Sequence, residues 1–445
     1  MHGRPMKKIA LSFTLIIFPL FLFVTNLFGD QEYIYDLVYR AEPLKNGKIF
    51  FLRFRNPLLD PVLKTYEIYL FDPSTGQISF LQNPQEKLYI LPVLSRDRST
   101  MSYHSLIEGT DYMVTANLET GRSVRLRFDT GGYFVEVGID YDNDTVAASI
   151  KRGENRQAIY LISNSRGTIR RILDGKVFRE TGFLSNGNVY FVERDEHRHN
   201  LGFVNPKTKE KHIIADSVEL VQKTPNGDAI LYSRKGKLYL YRPYGNESLV
   251  LSENFDEETV PPLISMDGST CAVIDKGIIY IVNIPSGDVL YYVSIDTRGL
   301  SYYLTDYTFY IVKEKKIFYI EHKKPGGSLQ ELYEAEDLIH LLAVSKNDRQ
   351  LFYRHDDKTT VIIYERKKGT SDRNRFDFEV EQVIPPDSED GFYVITRSTG
   401  PEWKYPVREL YYYHTGAGKL LTVSTARDTY VELYRNKEQP GMHSP

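Results

Sequence analysis

The chain holds a single cysteine, Cys271, among 445 residues. That excludes an internal disulfide and leaves no cysteine cluster for zinc. Tryptophan also occurs once, as Trp403, so a fold that sets a tryptophan into every repeat is excluded. Charge of one sign is missing as well: 56 Lys plus Arg stand against 59 Asp plus Glu, a formal net of −3, which gives no basic footprint for nucleic acid. No Gly-x-Ser-x-Gly stretch is present, so the nucleophile elbow of a hydrolase domain is absent from the sequence. Long apolar runs are lacking except at the N-terminus. Helix-length amphipathic stretches are lacking too; the nearest, Ser328 to Leu342, falls where the repeat described below calls for an outer strand, a connection and an inner strand.

What the chain does have is aromatic residues, 34 Tyr and 23 Phe, which favour the half-buried pleated surface of a strand. It also has repetition. The stretch "KGIIYIVNIPSGDVL" from Lys276 sets an apolar run centred on Tyr, a polar turn and a second apolar run in sequence. Similar stretches begin at Tyr66, Gln157, Gly236, Lys316, Thr360 and Arg408. Another pair of apolar runs around a turn precedes these stretches, and such turns recur nine times along the chain, at Asn46-Gly47, Asp97, Asn143-Asp144, Asn186-Gly187, Asn226-Gly227, Asp267-Gly268, Asp306, Asn347-Asp348 and Asp390-Gly391. Asn-Gly and Asp-Gly between apolar runs are hairpin signals, because glycine takes a positive φ without strain. Each unit therefore reads as four short antiparallel strands. The turns recur every 39 to 51 residues, the period of propeller blades. Nine units can be counted, whereas propellers commonly stop at eight blades. The expectation is an all-β chain forming a single β-propeller of eight four-stranded blades, with seven and nine as the alternatives. One terminal unit would be spent in ring closure, with either 31–40 or 428–435 completing a blade begun at the other end of the chain.

The expected domain organisation is a signal peptide or membrane anchor over 1–29, the propeller over 31–435 and a flexible tail over 436–445. Arg4, Lys7 and Lys8 precede a charge-free run from Ile9 to Phe28, the pattern of an export signal. The run is also just long enough to span a bilayer, so a retained tether through residues 9–28 is the alternative to cleavage. Either way the remainder is expected outside the cytoplasm, periplasmic or secreted, or held at the inner membrane.

The segments Ser265–Gly287, Thr224–Gly245 and Ser345–Gly369 carry a turn of the form Ser/Thr-x-Asp/Asn-x, an apolar strand, a short polar turn, an Ile/Leu-Tyr-type strand and a closing turn. They resemble the repeat of TolB-type propellers, the WD40-like or PD40 repeat. Copies depart from it: Ser265-Met266-Asp267-Gly268 lacks the proline, and Thr224-Pro225-Asn226-Gly227 lacks the serine and aspartate. The resemblance implies a propeller, and a scaffold or accessory role in an envelope complex.

Several residues suggest chemistry. His197 and His199 stand two apart and on a strand would share a face, but no third metal ligand accompanies them. Asp140, Asp142 and Asp144 imitate the start of a calcium loop, yet Thr145 and Lys151 occupy the positions where an EF-hand needs Gly and Glu. Both read as polar blade turns, and Cys271 reads as core packing. No catalytic residue, metal site or cofactor is expected. The connection between second and third strands is short in the middle units but long at Arg55–Tyr66 and Arg397–Glu409. In a closed ring these two insertions lie side by side, presenting Leu58, Leu59, Trp403 and Tyr405 as candidate partner-binding residues, since long loops on a rigid scaffold carry binding function and Trp and Tyr are favoured interface anchors. The alternative is that they cover the seam. The functional expectation is an exported, non-catalytic propeller that binds an envelope or periplasmic protein. An enzyme acting on carbohydrate or peptide and a sensor with a ligand in the central channel are the rivals.

Overall fold

Nine consecutive units each build one blade around a common axis, and the ring has nine blades among the described residues rather than the expected eight. The computed structural model describes residues 38–424, apart from 45–46, 56–64, 83–86, 89–90, 96, 129–132, 140–143, 153–155, 196–197, 256–260, 297–298, 325–326, 387–390 and 399–406. The first blade runs Val38–Pro43, Ile49–Arg55, Thr65–Asp72 and Gln77–Phe80 from the axis outward. The ninth runs Val380–Ile384, Gly391–Ser398, Val407–His414 and Lys419–Ser424. In both, all four strands are consecutive in sequence, so no unit is used up by closure. That is why the count of turns and the count of blades agree, and why eight was one too few. Residues 38–40 belong to the inner strand of the first blade, while 428–435 lie outside the described residues.

The second blade is the irregular one. Its inner edge is split into Lys87–Leu88 and Val93–Leu94, and the first piece pairs both with the third strand of blade one (Tyr66 opposite Leu88) and with Thr100–Ile107 of its own blade. This bridging piece accounts for the longest interval between turns. Blades three to six occupy 133–175, 177–215, 221–252 and 263–294. The stretch from Ser328 to Leu342 is, as its phase requires, an outer strand Gln330–Glu334 followed by an inner strand starting at His340.

Because every blade is covered on both faces by its neighbours, its middle strands are apolar on both faces. Thr270–Asp275 is buried at five successive positions, whereas the outer strand Gln77–Phe80 is exposed throughout. The hydrophobic core is correspondingly divided into nine clusters, one at each blade–blade interface. The ninth interface joins the ends of the chain: Ile49, Phe51 and Phe71 of blade one pack against Ile384, Tyr393, Ile395, Leu410 and Tyr412 of blade nine. Tyr393 Oη adds a hydrogen bond to the carbonyl of Gly47 at 3.1 Å. The ring is closed by side chains.

The signature turns are self-contained. In blade six the carboxylate of Asp267 accepts from Ser265 Oγ (2.7 Å), Ser269 N–H (2.9 Å) and Ser269 Oγ (2.7 Å), while Ser265 Oγ accepts from Thr270 N–H at 3.0 Å. Ser95, Asp97, Ser99 and Thr100 repeat the arrangement in blade two. Bonding of this sort, between side chains and backbone at most five residues apart, specifies the turn locally. Neighbouring turns are then tied together around the ring, for instance Asp267 N–H to Asp306 Oδ1 at 2.7 Å and Ser185 N–H to the carbonyl of Gly227 at 3.0 Å.

Candidate functional site

Antiparallel strands place the signature turns and the turns between third and fourth strands on one face of the ring, and the connections between second and third strands on the other. The signature-turn face is concave. Two cavities of about 740 and 550 Å³ meet there over the axis, sharing Arg98 and Met266. The inner strands supply the wall, so each wall residue is placed by a blade edge and each rim residue by a signature turn.

Arg98 occupies a turn position where blades one, four, five and six have glycine, and it keeps the left-handed backbone of that position, with φ of 58°. Its Nη1 donates to the carbonyl of Pro43 at 2.9 Å, and its Nε lies 4.0 Å from Glu42 Oε2. Glu42 also pairs with Arg40. Lys223 donates to the carbonyl of Thr224 at 3.0 Å. These residues make the smaller cavity basic. The larger one carries Asp97, Asp267 and Asp306 against Arg98 and Lys346, over an apolar wall that includes Leu44, Val383 and Pro385. Met266 stands between the two halves, 52% exposed. The cleft is therefore bipolar with an exposed thioether at its centre, a lining suited to an elongated ligand of mixed character.

The carboxylates of the cleft are engaged in structure. Burial pulls the carboxyl of Asp267 up, but Lys323 at 2.7 Å and the serine donors outweigh it and hold the group down at about 2. Such a carboxylate stays charged and fixed, which suits recognition better than proton transfer.

Leu58, Leu59, Trp403 and Tyr405 all lie outside the described residues. Their flanks are described: Arg55 pairs with Thr65 and Ser398 with Val407, and these hairpin ends belong to blades one and nine, neighbours across the seam, on the face opposite the cleft. His197, Asp140 and Asp142 are also outside the described residues. His199 sits on Arg198–Val204, cross-strand from Arg194; burial, then the charges of Arg179 and Arg194, lower its pKa. Asp144 accepts from Ser163 Oγ and Ser165 N–H, both at or near its own blade's outer turn. Among the described residues no group of three or more His, Cys, Asp or Glu could hold a metal ion. Cys271 is fully buried, and burial pushes its thiol up to about 12, far from a reactive thiolate. Arg98, Met266 and Lys346 escaped the sequence reading. The signal that could have found Arg98 is its place in the turn: blades one, four, five and six put glycine there.

Among the described residues no helix is long and apolar enough to cross a membrane. No family model matches the chain, and no curated protein matches it. Solved structures do. A prolyl endopeptidase is 14% identical with a TM-score of 0.43, over 77% of this chain and 50% of its own. Oligogalacturonate lyase from Vibrio parahaemolyticus is 12% identical with a TM-score of 0.41, over 76% of this chain and 89% of its own. TolB from Acinetobacter baumannii is 15% identical with a TM-score of 0.36, over 53% of this chain and 61% of its own. With identities of 15% or less and TM-scores below 0.5, these three likenesses carry no argument about function.

Proposed function

We propose that the chain is an exported binding propeller that holds a protein partner across the axial cleft of its signature-turn face. The observation that carries this reading is the cleft itself: an open, bipolar surface with Met266 exposed at its centre, on a scaffold whose turns are individually rigid. Flexible thioethers suit a protein surface, and flanking charges of both signs set the register of an extended segment. The basic residues followed by the apolar run Ile9–Phe28 support export, to the periplasm, the exterior or an inner-membrane tether. The connections at 55–66 and 397–409, with Leu58, Leu59, Trp403 and Tyr405, are proposed as a second contact.

A photo-crosslinking residue at Met266, compared in the producing cell with one at Tyr292 on the outer strand of blade six, tests the proposal. A discrete adduct at Met266 that disappears in Arg98→Glu supports it. Adducts of equal yield at both positions, or turnover of a glycan or peptide by the purified protein, would overturn it.

A further inference from the structure

The near balance of charge over the whole chain hides a local imbalance on the rim of the ring. The outer strands of blades two, three and four are Ser123–Arg127, Thr168–Gly175 and Lys211–Ala215. With the turn that leads into it, the strand of blade two brings Arg122, Arg125 and Arg127 to the rim against Glu119. Blade three brings Arg166, Arg170 and Arg171 against Asp174, and blade four brings Lys207, Lys209 and Lys211 against Glu210. Each blade thus adds three cations and one acid, a net of plus two, in a chain whose formal total is −3. All of these cations are exposed. Two of them also serve the blade itself: Arg171 pairs with Asp174, and Lys211 reaches Glu193 at 2.6 Å.

The belt stops at both ends. Residues 73–80 of blade one carry no charge, residues 243–252 of blade five carry only Glu247, and residues 285–294 of blade six carry only Asp288. Blade eight is basic on its rim too, with Lys367, Lys368, Arg373 and Arg375. Its outer strand Thr370–Arg375 contains no aliphatic residue, however, and blade seven beside it sets Glu331 and Glu334 against Lys323 and Lys324.

Each strand of the belt also turns one branched aliphatic side chain to solvent: Val124 is 45% exposed, Ile169 38% and Ile213 50%. Their cross-strand partners are Thr115, Ile162 and Gly202. Each partner lies within two residues of the end of its third strand, at Asn117, Ser163 and Val204, so the three aliphatics stand at one height on the rim. A cation accompanies every one of them: Arg125 follows Val124, Arg170 follows Ile169, and Lys211 stands two before Ile213.

We propose that the rim of blades two to four is a docking surface for an anionic lipid bilayer, with the cations on the headgroup phosphates and Val124, Ile169 and Ile213 set between the headgroups. Charge complementarity selects an anion, and clustered Arg and Lys are drawn to the negative surface of a lipid leaflet. The aliphatics among the cations select a bilayer over a soluble polyanion, because apolar burial adds to the electrostatic attraction at a lipid interface. A single-stranded nucleic acid is gripped through aromatic faces as well as cations, and none of the three strands has a Phe, Tyr or Trp. A ring standing on its edge meets a flat surface through a short arc, and the belt is such an arc, three blades of nine. Docked on its edge, the ring keeps both faces clear of the membrane, so the surface stands whether or not the axial cleft takes a protein.

The test uses the full chain with an environment-sensitive dye on one added cysteine, Val124→Cys in the belt or Tyr292→Cys on the rim of blade six. Cys271 is fully buried and does not compete for the dye. Vesicles of mixed phosphatidylcholine and phosphatidylglycerol should shift the dye at 124 to the blue and leave the dye at 292 unchanged. Phosphatidylcholine alone should move neither; insertion of the apolar run Ile9–Phe28 by itself would be blind to lipid charge. Arg125→Glu, Arg170→Glu and Lys209→Glu together should raise the lipid concentration at half-maximal shift by about tenfold or more. Raising the salt from about 0.1 to 1 M, which shortens the screening length from about 10 to 3 Å, should weaken the parent in the same way. No shift at 124, equal shifts at both positions, an equal shift with phosphatidylcholine alone, or a response unchanged by the reversals overturns the proposal. Capture of the parent on dextran sulfate without any response to anionic vesicles also overturns it, and assigns the belt to a polyanionic chain. Should the triple variant fail to fold, the salt titration of the parent decides alone.

Discussion

Replacing Phe71 by alanine probes the seam where the two ends of the chain meet. Phe71 is 1% exposed and sits in the cluster between blades one and nine, its ring 6.2 Å from those of both Tyr393 and Tyr412. Truncating a buried phenylalanine costs about 3 to 5 kcal/mol through lost burial and the cavity left behind. A folded region of roughly 390 residues has an unfolding entropy of about 0.8 kcal/mol/K, so the melting temperature should fall by about 4 to 6 °C. Phe352→Ala is the control. Phe352 is equally buried, lies between blades eight and nine, and packs against Phe392 at 5.3 Å. Calorimetry should show drops of similar size for the two variants, because the seam is built like any other interface. A drop below about 1 °C for Phe71→Ala beside a full drop for Phe352→Ala would refute closure by packing.

Fusion of alkaline phosphatase to the full chain should give activity outside the cytoplasm, and deletion of residues 1–29 should abolish it; undiminished activity in the deletion would refute export. Trp403→Ala should weaken capture of a partner held by the connections at 55–66 and 397–409 by roughly thirtyfold, the worth of an aromatic hot spot of about 2 kcal/mol, with little change in melting temperature; a large melting shift with unchanged affinity would assign the loop to the seam. The Asp267 carboxyl is held below its unfolded pKa, so it adds stability above about pH 4 and loses that contribution as pH falls toward its folded value of about 2. Denaturant titrations should accordingly show a shallower loss of stability between pH 4 and 2 in Asp267→Asn than in the parent, and identical slopes would count against the ion pair with Lys323.

The fold was legible where the physics is local. The Ser265–Asp267–Ser269 turn is stabilised by bonds among residues at most five apart, so its sequence announces it, and the nine repeats could be counted from such turns alone. Closure was not legible, because whether Val38–Pro43 pairs within its own blade or with the last one depends on contacts more than 300 residues apart, such as Tyr393 to Gly47. The bridging piece Lys87–Leu88 left a trace only as an unusually long interval. The candidate sites were the least legible. Arg98 looks like an ordinary polar residue in an ordinary turn, and it stands out only when the blades are compared and it is seen in the place that Gly47, Gly187, Gly227 and Gly268 fill elsewhere. The loop residues Leu58, Leu59, Trp403 and Tyr405 remain proposals, since they lie outside the described residues.

The seam also bears on how such a ring changes size. Where one strand is donated across a closure, the two ends of a chain are locked into a single hydrogen-bond register, and inserting or deleting a unit must preserve that register. Among the described residues the first and ninth blades each contain their own four strands and meet through packed side chains and the bond from Tyr393 to Gly47. Gain or loss of a whole unit then alters only the wedge angle between neighbours, which apolar side chains can absorb by repacking. For the same reason the chain ends could be moved to another blade boundary without breaking a strand: a permuted chain starting at blade five would present the same nine interfaces in a different order.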